Sequence, residues 1–213
     1  GLELSQSPNN LVYTRRIVQP VASVKLTGKA FGTDAGLITA VDDKLASATG
    51  QDHPVVNVLR LQKDVAARSR LGVVYTDRID GDNWNRVGSV DGRLVSGKSN
   101  VAFQLGRSFT KELGVRRDGT IWMGRAVHNG RVFGVRYEFS GVHPDFVTRS
   151  GFIRRRGDVN LSLVNLFTLN GRPGSLVESF TPDVSLYGTW TYDLFAAGHA
   201  GRVVSAQAQR RGR

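Results

Sequence analysis

The amino-acid sequence predicts an all-β protein, an antiparallel up-and-down meander of about ten long strands. Three observations carry this prediction: apolar and polar residues alternate with period two, the alternating segments are about ten residues long, and the connections alternate between short and long. Strands of ordinary globular proteins average about five or six residues, whereas a tilted bilayer crossing needs about 9–11. The expected architecture is therefore a transmembrane β-barrel or an open part of one.

Each strand is predicted from an alternation that places apolar residues on one face and small or polar residues on the other. The clearest strands are predicted at 21–30, 99–109 and 131–139. A helix would need apolar residues at three- and four-residue spacing, which these segments lack. Weaker alternation predicts strands at 34–42, 55–64, 69–77, 85–95, 119–128, 158–168 and 186–193.

The connections between the predicted strands differ in length. Tight turns are expected at Gly32-Thr33, Ala66-Ala67, Ser96-Gly97 and Asn129-Gly130, and longer polar links at 43–54, 78–84, 109–118 and 140–157. Segment 60–70 has some helical character, but it is too short to stand alone and is interpreted as strand, turn and strand. This rhythm collects short turns at one end of the sheet, as in transmembrane barrels, although a soluble meander has it too.

Composition limits the possible functions. The chain carries 29 Lys and Arg against 18 Asp and Glu, a formal charge of +11, which suggests a polyanionic partner or a basic surface or channel. Cysteine is absent, which excludes disulfides, thiolate metal sites and thiol nucleophiles. Because no stretch approaches about 18 uninterrupted apolar residues, no transmembrane helix is predicted. We expect one partial β-barrel domain over 1–195 and a basic, disordered tail over 196–213.

No catalytic, cofactor or metal site is predicted. The four histidines lack metal-ligand spacing, and Asp77, Asp80 and Asp82 do not match the spacing of a calcium-binding EF-hand loop, so an ordinary turn is preferred there. The Gly-x-Ser-x-Gly motif of many hydrolases does not occur. A Ser-His-Asp site set by geometry alone stays open, because such sites follow no fixed order along the chain.

The basic residues recur on strand positions opposite the apolar face. If the apolar face contacts lipid, these positions line a water-filled interior, and the predicted lumen-lining residues are Lys25, Lys29, Arg136 and Glu138. A channel lined in this way would favour anions. The alternative is the solvated outer face of a soluble sheet. Seven aromatic residues fall near predicted strand ends, where barrels carry interfacial girdles: Trp84, Phe109, Trp122, Phe139, Tyr187, Trp190 and Tyr192.

Several segments, in collinear order, are similar to a bacterial family over about residues 11–168. These segments are Tyr13–Ile17, Val24–Lys29, Gly36–Ala40, Val58–Asp64, Ser69–Arg78, Asn85–Asp91 and His143–Arg155. They resemble an uncharacterised outer-membrane β-barrel domain that commonly follows a family-9-like carbohydrate-binding module in large surface proteins.

The resemblance implies a location in the bacterial outer membrane and a longer protein, with a leader, an N-terminal module and further strands. It supplies no catalytic residues. The last strand of such barrels usually ends on an aromatic residue, whereas this chain ends Arg210-Arg211-Gly212-Arg213. If the chain supplies only part of the barrel wall, a curved open sheet with exposed edges is expected.

We expect a non-enzymatic outer-membrane barrel segment that serves as pore, conduit or membrane anchor of a larger surface protein linked to carbohydrate binding. Its partners would be outer-membrane lipid and, through the module outside this sequence, carbohydrate; nucleic acid is not expected. One alternative is a soluble basic β-protein that binds nucleic acid or acidic glycan. A second is a polysaccharide-acting hydrolase, although the sequence does not single out the pair of carboxylates it would need.

Overall fold

The computed structural model describes residues 11–13, 19–171 and 179–197, together with the backbone of 205–211. The strands are β1 (Pro20–Ala30), β2 (Thr33–Asp42), β3 (Val55–Ala66), β4 (Ser69–Asp80), β5 (Asn83–Ser96), β6 (Ser99–Glu112), β7 (Val115–Asn129), β8 (Phe133–Val142), β9 (Asp158–Phe167), β10 (Leu169–Asn170), β11 (Ser179–Thr191) and β12 (Ser205–Arg211). The helical elements are a 3-10 turn (Lys44–Ala46) and a five-residue helix, α1 (Tyr192–Ala196).

The strands form a single antiparallel meander in which chain neighbours are also spatial neighbours. Each strand from β1 to β8 pairs with the strand that follows it, β9 pairs with β11, and β11 pairs with β12; the short β10 pairs with the start of β11. The predicted all-β meander is confirmed, and the sheet is open, because β1 pairs only with β2 among the strands described.

Every predicted strand is present, several of them longer than expected. The central strands β5, β6 and β7 have 14, 14 and 15 residues. Segment 60–70 forms the end of β3, the Ala67-Arg68 turn and the start of β4, as interpreted. The tight turns lie about one residue from their predicted places; the first, for example, is Phe31-Gly32.

Two predicted long links are wrong. Segments 78–84 and 109–118 contain only the two-residue turns Gly81-Asp82 and Leu113-Gly114, because the strands on either side continue further than the apolar pattern does. Gly81 and Gly114 adopt positive φ angles of 57° and 79°, which glycine tolerates and which makes such short reversals possible. The links at 43–54 and 143–157 are long, and 143–157 crosses one face of the sheet.

The prediction of a disordered tail over 196–213 also needs correction. Ser205–Arg211 form β12 and pair with Thr181–Tyr187 of β11. Alternating small and polar residues allow this pairing although the segment lacks an apolar face. Residues 198–204 and 212–213 lie outside the described part of the chain.

The hydrophobic core lies on one face of the sheet, which we call the inner face. Ile38, Val58, Val74 and Val87 on successive strands point to this face and are buried. Side chains from the β8–β9 loop and from residues 11–12 cover them, with Phe146 and Leu11 both fully buried. The core is thus formed between the sheet and two irregular segments rather than between two sheets.

Candidate functional site

Strand register divides the side chains of the sheet between two faces of opposite character. Residues directly opposite each other in an antiparallel ladder point to the same face. Lys25 lies opposite Ile38, and Ile38 lies opposite the buried Val58, so all three belong to the inner face. Their chain neighbours point to the other face, which we call the outer face.

The outer face carries a continuous apolar band on strands β3 to β9. Its members, taken strand by strand, are Leu59, Leu61, Leu71, Val73, Tyr75, Val90, Leu94, Val101, Phe103, Leu105, Trp122, Phe139, Tyr137, Leu161 and Leu163. Most of these side chains are exposed, with Leu105 at 55 % and Val73 at 46 %, and the others are half-buried. On β3 the band ends at Lys63, which lies opposite Leu71, and on β4 to β9 none of the described charged side chains lies between its members.

A group of paired charged residues lies at the border of this band toward the long loops. Asp77 pairs with Arg86 at 3.4 Å, and Arg107 pairs with Asp118 at 2.5 Å. The Arg86 guanidinium lies 4.7 Å from the ring centre of Trp84. Aromatic rings and paired charges at the border of an apolar band are the arrangement expected where hydrocarbon meets water.

A second aromatic group lies at the same end of the sheet. Phe195 of α1 contacts Trp122, Phe139 and Trp190, with ring centres 6.3, 5.7 and 6.3 Å away. The five-residue helix α1 covers only this corner of the outer face. The rest of the band remains uncovered by any described segment.

The inner face is filled at the end of the sheet that carries the long loops. The Asn85 side chain donates to the carbonyl of Val147 at 2.9 Å and accepts from the amide of Arg149 at 2.8 Å. The Ser108 hydroxyl accepts from the amide of Val147 at 3.1 Å. Gly119 lies beneath Phe146, close enough that a Cβ at this position would overlap the Phe146 backbone. The β8–β9 loop is therefore seated on the sheet by polar side chains and a glycine.

A buried ion pair crosses the middle of the inner face. The Arg60 guanidinium donates two hydrogen bonds to the Asp91 carboxylate, one of them from Nη2 to Oδ1 at 2.8 Å. The Arg60 side chain is fully buried and that of Asp91 is 7 % exposed. Gly72 lies below the guanidinium, and a Cβ there would be 2.6 Å from Nη2.

Beyond this ion pair, the inner face borders an open cavity of about 1060 Å³ at the end with the short turns. Six consecutive strands, β3 to β8, contribute to its lining, so the sheet curves around it. The arginines in the lining are Arg68, Arg70, Arg93, Arg125 and Arg136, and the acids are Asp91 and Glu138. We call this the basic cavity.

The predicted lumen-lining residues all lie on the inner face by register. Arg136 and Glu138 line the basic cavity. Lys25 and Lys29 lie on the edge strand β1 and are exposed, and Lys29 contacts Asp64 at 3.1 Å and Asp34 at 3.5 Å. That these four residues line a lumen stays a prediction.

The predicted site set omits Arg60, Asp91, Arg93 and Arg125. The period-two pattern carried through β3 to β7 assigns them to the inner face, but the apolar residues that mark that pattern are sparse there. Their convergence depends on strand register over sequence separations such as the 31 residues between Arg60 and Asp91.

Two of the three acidic residues in segment 77–82, Asp77 and Asp80, bind protein groups. Asp80 accepts from the hydroxyl of Ser47 at 2.6 Å and from the amide of Ala48 at 2.8 Å, which fastens the 43–54 link to β4. Asp77 faces the outer side and binds Arg86. Among the described residues no group of three or more His, Asp or Glu side chains could hold a metal ion.

No protein-family model, curated protein or solved structure matches the chain. Within the described residues, no helix has both the length and the apolar character needed to cross a membrane. The resemblance to the outer-membrane domain family therefore stays a prediction.

Proposed function

We propose that the chain forms part of the wall of an outer-membrane β-barrel and acts chiefly as a membrane anchor. The observation that carries the proposal is the uncharged apolar band exposed on the outer face of seven neighbouring strands, β3 to β9. Soluble monomers rarely expose continuous apolar patches larger than a few hundred Å². A band facing hydrocarbon needs no covering layer, whereas one facing water does.

The dimensions of the band support the proposal. On β6 the outer-face residues between Ser99 and Arg107 are apolar, and an interval of about eight residues at about 3.3 Å per residue spans about 26 Å along the strand. Strands of transmembrane barrels tilt by about 40°, which makes the height of this band about 20 Å, close to the apolar band of about 25 Å in known barrels. The strand lengths of 14 and 15 residues leave both ends free to extend into water.

The filled half of the inner face favours an anchor over an open pore. The β8–β9 loop and residues 11–12 occupy the space that a pore through this end would need. A bacterial outer-membrane location and a carbohydrate-binding module elsewhere in the protein follow from the family resemblance alone and are part of the proposal on that ground.

Vesicle flotation tests the proposal. The full chain, unfolded in urea, is diluted into phosphatidylcholine vesicles and centrifuged through a density gradient. We expect the chain to float with the vesicles and to resist extraction by carbonate at high pH. A chain that refolds to a detergent-free monomer in buffer, and stays at the bottom of the gradient, would contradict the proposal.

The second candidate is a soluble basic β-protein that binds an acidic glycan or nucleic acid, and the basic cavity favours it. This candidate predicts retention on heparin at low salt, with affinity falling linearly in log salt. A chain recovered as a soluble monomer that heparin retains would favour this candidate over the anchor. The hydrolase alternative gains nothing from the cavity, because Arg60 binds the Asp91 carboxylate and Arg125 faces Glu138.

A further inference from the structure

We propose that the basic cavity contains a binding site for a tetrahedral oxyanion, a phosphate or sulfate group, above Ala102 and between Arg93 and Arg125. This site goes beyond the membrane role and does not depend on it, because the cavity is formed by the inner face whichever medium surrounds the outer face.

The site follows from one row of cross-strand neighbours. Arg93 on β5 lies directly opposite Ala102 on β6, and Ala102 lies directly opposite Arg125 on β7. Adjacent strands are about 4.8 Å apart, so the backbones that carry the two arginines are about 10 Å apart with only a methyl group between them. Two long side chains that flank a small one leave a gap of the size of a tetrahedral anion.

The charges around this gap are unbalanced. Arg70 lies directly opposite Arg93, and like charges in that position destabilise a sheet unless an anion lies between or beside them. Arg70 pairs with Asp64 at 3.1 Å, and Arg125 lies 3.8 Å from Glu138. No carboxylate of the described residues forms an ion pair with Arg93 or with the neighbouring Arg136.

The nearest acid is not available to neutralise Arg93. Asp91 lies two residues away on the same face, but both of its carboxylate oxygens accept from the buried guanidinium of Arg60. The Arg60–Asp91 pair thus closes the deep side of the cavity and leaves Arg93 facing its open part. A mobile or bound anion is then the remaining source of negative charge.

Guanidinium chemistry identifies the ligand class. The planar fork of arginine matches the paired oxygens of phosphate and sulfate, and charge-assisted hydrogen bonds of this kind are the stronger ones in proteins. The cavity volume of about 1060 Å³ is slightly larger than that of most ligand pockets, so an organic molecule carrying the anion also fits.

The test is isothermal titration of the full chain with sodium pyrophosphate, and separately with sodium sulfate, in a buffer free of other multivalent anions. The chain is kept either in detergent micelles or in detergent-free buffer, depending on which of the two keeps it folded. Arg93→Gln removes this guanidinium without breaking an ion pair among the described residues. Arg116→Gln is the matched control, because Arg116 is exposed on the outer face at the opposite end of the sheet.

We expect saturable binding of pyrophosphate or sulfate by the unmodified chain, weaker by about tenfold or more in Arg93→Gln and unchanged in Arg116→Gln. Far-UV circular dichroism checks that both variants fold. Two results would overturn the site: no saturable binding of either anion, or equal weakening by both substitutions, which would indicate a general charge effect. Failure of the chain to float with vesicles overturns the membrane role alone and leaves this site standing.

Discussion

The guanidinium of Arg60 on β3 reaches over Gly72 on β4 to the carboxylate of Asp91 on β5. The two residues lie two strands apart, and both are buried on the inner face. A buried ion pair of this kind stabilises little against an apolar replacement, but removal of one partner leaves an uncompensated charge. The pair therefore sets the position where the packed half of the inner face ends and the basic cavity begins.

Substitution of Asp91 by Ala should lower the free energy of unfolding by about 3–5 kcal/mol, because the buried Arg60 guanidinium loses its counter-charge. Urea unfolding followed by tryptophan fluorescence measures the change. The double variant Arg60→Met with Asp91→Leu should recover most of the loss, since neither charge is then left unpaired. Equal destabilisation by the single and the double variant would contradict this interpretation of the pair.

Substitution of Gly72 by Ala should destabilise the fold by about 1–3 kcal/mol, because the new methyl group occupies the place of the Arg60 guanidinium. Gly88→Ala is the matched control: it lies on β5, and a Cβ there meets no atom within 4 Å. The same urea titration measures both variants. If Gly88→Ala proved as harmful as Gly72→Ala, a general requirement for glycine in the sheet would replace the contact with Arg60 as the cause.

Substitution of Gly119 by Ala should displace the β8–β9 loop from the inner face, because a Cβ at this position overlaps the backbone of Phe146. We expect faster proteolytic cleavage within 143–157, measured by limited trypsin digestion and mass spectrometry at Arg149 and Arg154–Arg156. Gly124→Ala on the same strand has open space around its Cβ and should digest like the unmodified chain. Identical digestion of all three proteins would show that the loop is not seated through Gly119.

Substitution of Leu105 by Arg tests the medium around the outer face. In a bilayer the charge in the middle of the apolar band costs about 2–4 kcal/mol, so flotation with vesicles should decrease. In water the same change replaces an exposed apolar side chain and should raise solubility. The control Asn100→Arg places the charge on the same strand but on the inner face, beside the basic cavity. Flotation of the Leu105→Arg variant at the level of Asn100→Arg would contradict lipid contact at this site.

The alternation of residues was enough to predict the meander and the division between faces. Lys25 and Glu138 lie on strands far apart in the sheet, and the register puts both on the inner face, because period two is a local property of an extended chain. Boundaries at turns were less predictable: the strands continue through Asp80 and Glu112, where polar residues bind loops or neighbours instead of marking a loop of their own.

The packed interior could not be predicted in the same way. Phe146 lies in a segment without periodic pattern, and its burial depends on a loop that returns to Gly119 from β8. The partnership of Arg60 with Asp91 depends on the register of three strands and on the missing side chain at Gly72. These are relationships between distant segments, and a single-sequence pattern contains no measure of them.

The unpaired edge of β1 matters if the sheet lies in a bilayer. This strand is 11 residues long, and among the described strands only β2 satisfies its main-chain donors and acceptors. In hydrocarbon every unsatisfied amide or carbonyl costs several kcal/mol. In a bilayer, a further strand would therefore have to pair with this edge of β1. The number of strands in the segment that supplies it would set the circumference of the closed barrel.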